Sequence, residues 1–125
     1  MAQVRVWTRR LLLGPDTGWG ATLGTGPAGI LTLAGVALML HILDLATGVR
    51  MMVLYGITLE LNPLARAVMT SVGPLGLVEL KLGVVLAGLL LFVRTAQVGR
   101  PRLARNCLLI AAAIGLLGFA SNLVG

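Results

Sequence analysis

The chain has 125 residues, enough for one domain, and 58% of them are hydrophobic while only 11% are charged. A soluble domain carries roughly 25% charged residues, so this composition excludes an ordinary water-soluble fold and indicates an integral membrane protein. In a soluble chain the net charge of +6 would raise the question of a nucleic-acid partner. We expect none, because the arginines lie between apolar runs and only two Trp, one Tyr and two Phe are available for stacking. Cys107 is the single cysteine, which excludes an internal disulfide and a cysteine-based metal site.

The chain opens with a basic segment and a glycine-rich loop, together residues 1–27. Residues 4–13 mix arginines, a tryptophan and leucines, as helices that lie on a membrane surface do. They predict a short interfacial helix. Residues 14–26 are rich in Gly, Thr and Pro with almost no charge, and they predict a loop.

Residues 28–125 form the predicted transmembrane domain. About 20 apolar residues are needed to cross a bilayer, and three stretches satisfy this requirement: about 28–54, 75–93 and 103–124. Between the first two, residues 64–71 are apolar but too short to cross, and Asn62-Pro63 is typical of a helix start. The predicted fold class is all-α, an integral membrane bundle of three transmembrane helices. One short interfacial helix precedes the bundle, and another short helix lies between spans one and two.

The distribution of arginines predicts the orientation, because short cytoplasmic loops retain Lys and Arg. Seven arginines precede the first span or lie between the second and third: Arg5, Arg9, Arg10, Arg94, Arg100, Arg102 and Arg105. The opposite side has only Arg50 and Arg66. We expect a multi-pass protein of the cell membrane with a cytoplasmic N-terminus and an external C-terminus.

Two ionisable residues lie within the spans at similar depth. An ionisable group in a span costs about 2.5–3.5 kcal/mol on insertion scales, so it usually marks a function or a buried pair. Asp44 in span one and Lys81 in span two are each roughly 10 Å from the outer edge at helical rise. Consecutive antiparallel spans are expected to be adjacent, which predicts an ion pair. Glu79 points away from Lys81 around the same helix, so we expect Lys81 to be the inward residue.

Other polar residues belong to the same layer. Thr47 shares a helix face with Asp44, and Glu60 and Asn62 in the outer loop can fold over it. One interpretation is an ion, proton or polar head-group site. The other is a neutralised network that fixes how the helices pack. The set comprises Asp44, Thr47, Glu60, Asn62 and Lys81.

His41 lies one helical turn before Asp44. Neutral imidazole is a good ligand, so one interpretation is a haem, pigment or metal ligand near the middle of the bilayer. The alternative is a histidine hydrogen-bonded to a neighbouring helix or to Asp44. We predict no other cofactor and no metal centre.

Small residues recur one helical turn apart at two places, Gly83-x-x-x-Ala87 and Ala111-x-x-x-Gly115. This spacing lets membrane helices approach closely. It predicts either packing within the chain or docking onto a partner.

The pattern Asp44-x-x-Thr47, Glu60-x-Asn62-Pro63 and Lys81 resembles that of a family of small prokaryotic multi-helix membrane proteins known only as a domain of unknown function. The resemblance covers about residues 30–93. It implies a membrane protein of three or four helices and brings no activity with it.

We expect a non-catalytic small membrane subunit that packs into or stabilises a larger complex. The sequence has no Gly-x-Ser-x-Gly elbow, no His-Glu-x-x-His site and no second histidine, so an intramembrane enzyme is not expected. The alternative is a small oligomeric transporter or ion-binding protein that uses Asp44, Lys81 and Glu60. The expected partners are the lipid bilayer and other membrane subunits or further copies of this chain.

Overall fold

The computed structural model describes residues 4–5, 26–56 and 63–124. They form three helices, α1 (Pro27–Tyr55), α2 (Pro63–Gln97) and α3 (Pro101–Val124). Each is long and apolar enough to cross a membrane. The prediction of an all-α fold with three helices long and apolar enough to span a membrane is therefore confirmed for the described residues, and it indicates a multi-pass membrane protein.

The bounds of the helices follow from proline and glycine. Each helix begins at a proline, whose ring fixes a helical φ and whose missing N–H would have no partner in the first turn. After α1, Gly56 takes a φ of 82° and its N–H donates to the Met52 carbonyl at 2.9 Å. Gly99 ends the turn after α2 with a φ of 96°. The predicted spans 28–54 and 103–124 lie within α1 and α3.

Helix α2 is longer than the predicted span 75–93, because it continues across a kink. Gly73 has a φ of 81° and a ψ of 173°, which is not helical, and Pro74 follows it. Proline disfavours the helical conformation in the residue before it, and glycine reaches a positive φ without a steric penalty.

The short helical segment predicted between spans one and two is present, but only the non-helical Gly73, and no loop, divides it from the second span. Residues 63–72 are helical, but they form the first part of α2. The predicted interfacial helix and glycine-rich loop lie outside the described residues, apart from residues 4, 5 and 26. Within residues 26–56 and 63–124 no further short helix stands as a separate element.

Helices α1 and α3 pack most closely and run parallel. Leu40, Asp44 and Gly48 of α1 lie against Gly115, Gly118 and Asn122 of α3 in the same order along both helices. Helix α2 contacts both but less extensively. The most extensive helix pair is thus formed by the first and third spans. From the sequence, contact was expected only between the first and second spans.

The apolar core lies between α1 and α3, and α2 contributes two residues to it. Its buried members are Ile30, Leu33, Ala37, Leu89, Ala96, Ala104 and Leu108. Ala111 packs against this core. Farther along α3, a Cβ on Gly115 would lie 3.1 Å from the backbone nitrogen of His41. The pair Ala111 and Gly115 therefore serves packing within the chain.

The other small pair has no such contact. Gly83 and Ala87 are exposed, and a Cβ on Gly83 would meet nothing within 4 Å. These two residues do not pack against any described part of the chain.

Replacing Gly115 should separate α1 from α3. In Gly115→Ala the new Cβ meets helix backbone, which cannot rotate aside, so we expect a loss of about 1–3 kcal/mol of unfolding free energy. Gly35→Ala is the matched control, because Gly35 is exposed with nothing within 4 Å of an added Cβ. It should leave stability unchanged or slightly raised. Thermal unfolding in mild detergent measures both, and equal melting temperatures would contradict the close approach.

Candidate functional site: a polar cluster that joins three helices

Asp44 is the one buried charged residue in the described part of the chain, with 8% of its surface exposed. It lies on α1, on the same face as the core residues Leu33 and Ala37. This face is turned towards α3. A carboxylate in such a place must be neutralised or hydrogen-bonded, since burying an isolated charge is very costly.

Lys81 of α2 supplies the opposite charge. Its Nζ donates to Oδ2 of Asp44 and forms an ion pair with it. The Lys81 side chain is 39% exposed and that of Asp44 is 11% exposed. Glu79 is exposed, so Lys81 is the inward residue of the two, as expected.

Asn122 of α3 supplies the third connection. Its Nδ2 donates to Oδ1 of Asp44 at 3.0 Å and to the Asp44 backbone carbonyl at 3.0 Å. The same nitrogen lies 3.1 Å from Oγ1 of Thr47, which accepts. The Thr47 hydroxyl in turn donates to the Leu43 carbonyl at 2.8 Å. We call Asp44, Thr47, Lys81 and Asn122 the polar cluster.

Gly118 makes room for the polar cluster, whereas Gly48 lies at an ordinary contact distance from it. A Cβ on Gly118 would lie 2.6 Å from Cγ of Asp44, closer than any side chain allows. A Cβ on Gly48 would lie 3.5 Å from Nδ2 of Asn122. The absence of a side chain at Gly118 therefore lets α3 pass directly over the carboxylate.

The structure brings three of the five predicted residues together, namely Asp44, Thr47 and Lys81. Glu60 and Asn62 lie outside the described residues. Sequence reasoning missed Asn122. The available signal was its position on α3, four residues after Gly118 and seven after Gly115, which places all three on one helix face.

His41 is bonded to the neighbouring helix. Its Nε2 lies 3.0 Å from the Ala111 carbonyl, which can only accept, so Nε2 carries the proton. Nδ1 is buried and has no partner among the described residues. Binding a haem or pigment through Nε2 would require breaking the bond to α3. No group of three or more His, Cys, Asp or Glu side chains in the described ranges could hold a metal ion.

An open hollow of about 800 Å³ lies beside the kink of α2. It is lined by residues of α2, including Ser71 and Glu79, and by no member of the polar cluster. The polar cluster and the hollow are therefore separate features.

The polar cluster neutralises a charge and joins three helices. Both carboxylate oxygens of Asp44 have partners, one on α2 and one on α3. The geometry is that of a structural connection between spans.

A family described as "Domain of unknown function (DUF5658)" matches residues 35–125. The matched region contains all four members of the polar cluster and includes α3, which lies beyond the residues that carry the sequence resemblance. No curated protein and no solved structure matches the chain.

Removing the Asn122 amide should weaken the attachment of α3. Asn122→Ala leaves Oδ1 of Asp44 and Oγ1 of Thr47 without this donor, and an unsatisfied buried group costs about 1–3 kcal/mol. Ser121→Ala is the matched control, because Ser121 is exposed and its hydroxyl donates only to the Gly118 carbonyl of its own helix. Thermal unfolding in detergent should show a lower midpoint for Asn122→Ala alone. Equal midpoints would show that the amide contributes nothing.

Proposed function

The chain belongs to this family of unknown function, and we propose that it is a non-catalytic subunit of a larger membrane protein assembly. In this proposal the polar cluster holds α1, α2 and α3 as one unit. The outer face of α2 contacts the partner.

The exposure of α2 is the observation that carries the proposal. In an 18-residue apolar stretch of α2 only 6% of the residues are buried within the chain, whereas in the corresponding stretch of α1 28% are buried. Large apolar side chains are exposed along it at Leu80, Val84, Leu86, Leu90 and Leu91. Lipid can cover such a surface, but a second helix gains closer contact where small residues interrupt the large ones. Gly83 and Ala87 provide that interruption in the middle of the span.

The polar cluster supports a structural role over a transport role. A transport site must exchange its occupant, whereas both oxygens of Asp44 are engaged by side chains of the same chain. Releasing Lys81 would leave a buried carboxylate without its cation, which is strongly unfavourable. The cluster is therefore better suited to fixing the helices than to binding a passing ion.

A second candidate function, an ion-binding or transporting oligomer, is favoured by one observation. The Lys81 side chain is 39% exposed, so the ion pair is accessible from one side of the bundle. A further copy of the chain placed there would enclose the pair between subunits. A homo-oligomer that loses ion flux in Lys81→Met would support this candidate over the first.

We also propose that the turn between α2 and α3 is cytoplasmic, with the C-terminus outside the cell membrane. The support is the arginine content of this turn and its flanks, as cytoplasmic loops retain arginine. The residues are Arg94, Arg100, Arg102 and Arg105.

A bulky residue on the outer face of α2 should release the partner without unfolding the chain. Gly83→Leu adds a side chain where nothing lies within 4 Å, so the bundle itself should melt as the wild type does. Gly35→Leu is the matched control on the exposed face of α1. Extraction in mild detergent followed by native mass measurement should show the wild type and Gly35→Leu in a heteromeric assembly, and Gly83→Leu as a free chain.

The masses also separate the two candidate functions. Integral multiples of the 13.0 kDa chain would favour the homo-oligomer. A wild type that migrates as a lone monomer would contradict both candidates. Loss of the assembly in Gly35→Leu but not in Gly83→Leu would place the contact on α1 and contradict the proposed face.

A further inference from the structure

We propose that one end of the bundle binds the phosphate of an anionic phospholipid head group, with the acyl chains lying along α2 and α3. We call this end the arginine end, and it comprises Arg94, Arg100, Arg102 and Arg105. The inference does not depend on the proposed subunit function, because it concerns a different surface of the chain.

The arginine end is held on a short, ordered connection between two spans. The N–H of Gly99 donates to the Ala96 carbonyl at 3.2 Å, and the N–H of Arg100 donates to the Thr95 carbonyl at 3.1 Å. Because α3 begins at the next residue, Pro101, four guanidinium groups emerge within a few turns of one another. A turn joining two membrane spans lies at the level of the lipid head groups.

No carboxylate of the described residues pairs with these cations. The sequence has no Asp or Glu after Glu79, and Glu79 lies beside the kink at the other end of α2. Two arginines have only long contacts to neutral amides. Arg94 donates to Oε1 of Gln97 at 3.5 Å, and Arg105 donates to Oδ1 of Asn106 at 3.5 Å.

The remaining donors also lack an anionic acceptor among the described residues. Arg100 and Arg102 are exposed, and Nε of Arg105 is buried without a partner. Among the described residues the arginine end therefore carries four cations and no acid.

The chemistry of this surface selects an anionic lipid. Guanidinium groups bind phosphate through paired hydrogen bonds, and the start of α3 adds N–H groups directed at the same region. Exposed apolar side chains adjoin the arginines at Val98, Leu91 and Leu103. A ligand that satisfies both features has a phosphate and acyl chains, which excludes free phosphate as the intended occupant.

The loss of lipid affinity expected when arginines are removed can be estimated from the contribution of a single charge. Each arginine near an anionic surface contributes about fivefold in affinity, so removing two should weaken binding roughly 30-fold. The test is a titration of the full chain in neutral detergent with phosphatidylglycerol or phosphatidylcholine, followed by native mass spectrometry. The wild type should bind phosphatidylglycerol in preference to phosphatidylcholine, and Arg100→Gln/Arg102→Gln should lose most of that preference.

Two further variants serve as controls. Arg50→Gln removes an exposed arginine from α1, far from the arginine end, and should bind as the wild type does. Arg100→Lys/Arg102→Lys keeps the charge but loses the paired hydrogen bonds, so its preference should lie between those of the wild type and the double Gln variant, which separates a charge effect from misfolding.

Three results would overturn the inference. The first is equal binding of the two lipids by the wild type. The second is an equal loss of binding in Arg50→Gln and in the double Gln variant. The third is displacement of the lipid by inorganic phosphate at a concentration similar to that of the lipid, which would identify a free-phosphate site instead.

Discussion

The structure depends on one buried carboxylate. Asp44 is buried on the face of α1 that meets the rest of the bundle, where its carboxylate needs partners within the protein. Its two oxygens find partners on the other two helices, Lys81 on α2 and Asn122 on α3. A single residue thus sets where both neighbouring helices must pass. Apolar packing alone specifies helix positions less sharply, since lipid tails are as apolar as the leucines they would replace.

The arrangement of α3 follows from this constraint. Its contact face is formed by residues spaced four and three apart: Ala104, Leu108, Ala111, Gly115, Gly118 and Asn122. Ala104, Leu108 and Ala111 fill this face near the arginine end, where the apolar core lies, and glycines take their place where α3 passes Asp44. Helix α2 is fixed to the bundle mainly through Lys81 and a few apolar contacts, which leaves its outer face open. The α1–α3 pair is therefore the closely packed part of the bundle, and the outer face of α2 stays exposed.

Much of this architecture could be predicted from the sequence because membrane burial imposes strict requirements. The three spans follow from length and hydropathy, and the pairing of Asp44 with Lys81 follows from the high cost of either charge alone. Thr47 follows from the helical period. Asn122 did not emerge, because a neutral amide near the end of a span costs less to leave unpaired than an ion does.

Two further features, the small-residue pair that packs inside the chain and the continuation of α2 past Gly73, could not be predicted from the residues around them alone. The pairs Gly83/Ala87 and Ala111/Gly115 have the same spacing, and only the facing helix decides which one packs inside. Residues 64–71 were expected to form a short helix apart from the second span, and the structure joins them to that span across a kink at Gly73. A single glycine with positive φ redirects the chain within one residue, so α2 continues without a loop.

The most direct test of the central claim is a double-mutant cycle on Asp44 and Lys81, measured as unfolding free energy in detergent. Asp44→Asn alone leaves a partly buried ammonium without its counter-ion and should cost about 3 kcal/mol. Lys81→Met alone leaves the buried carboxylate and should cost at least as much. The double variant, which removes both charges, should recover most of that loss. If the two single losses simply add in the double variant, or if Asp44→Asn melts as the wild type does, then the ion pair does not hold the three helices together.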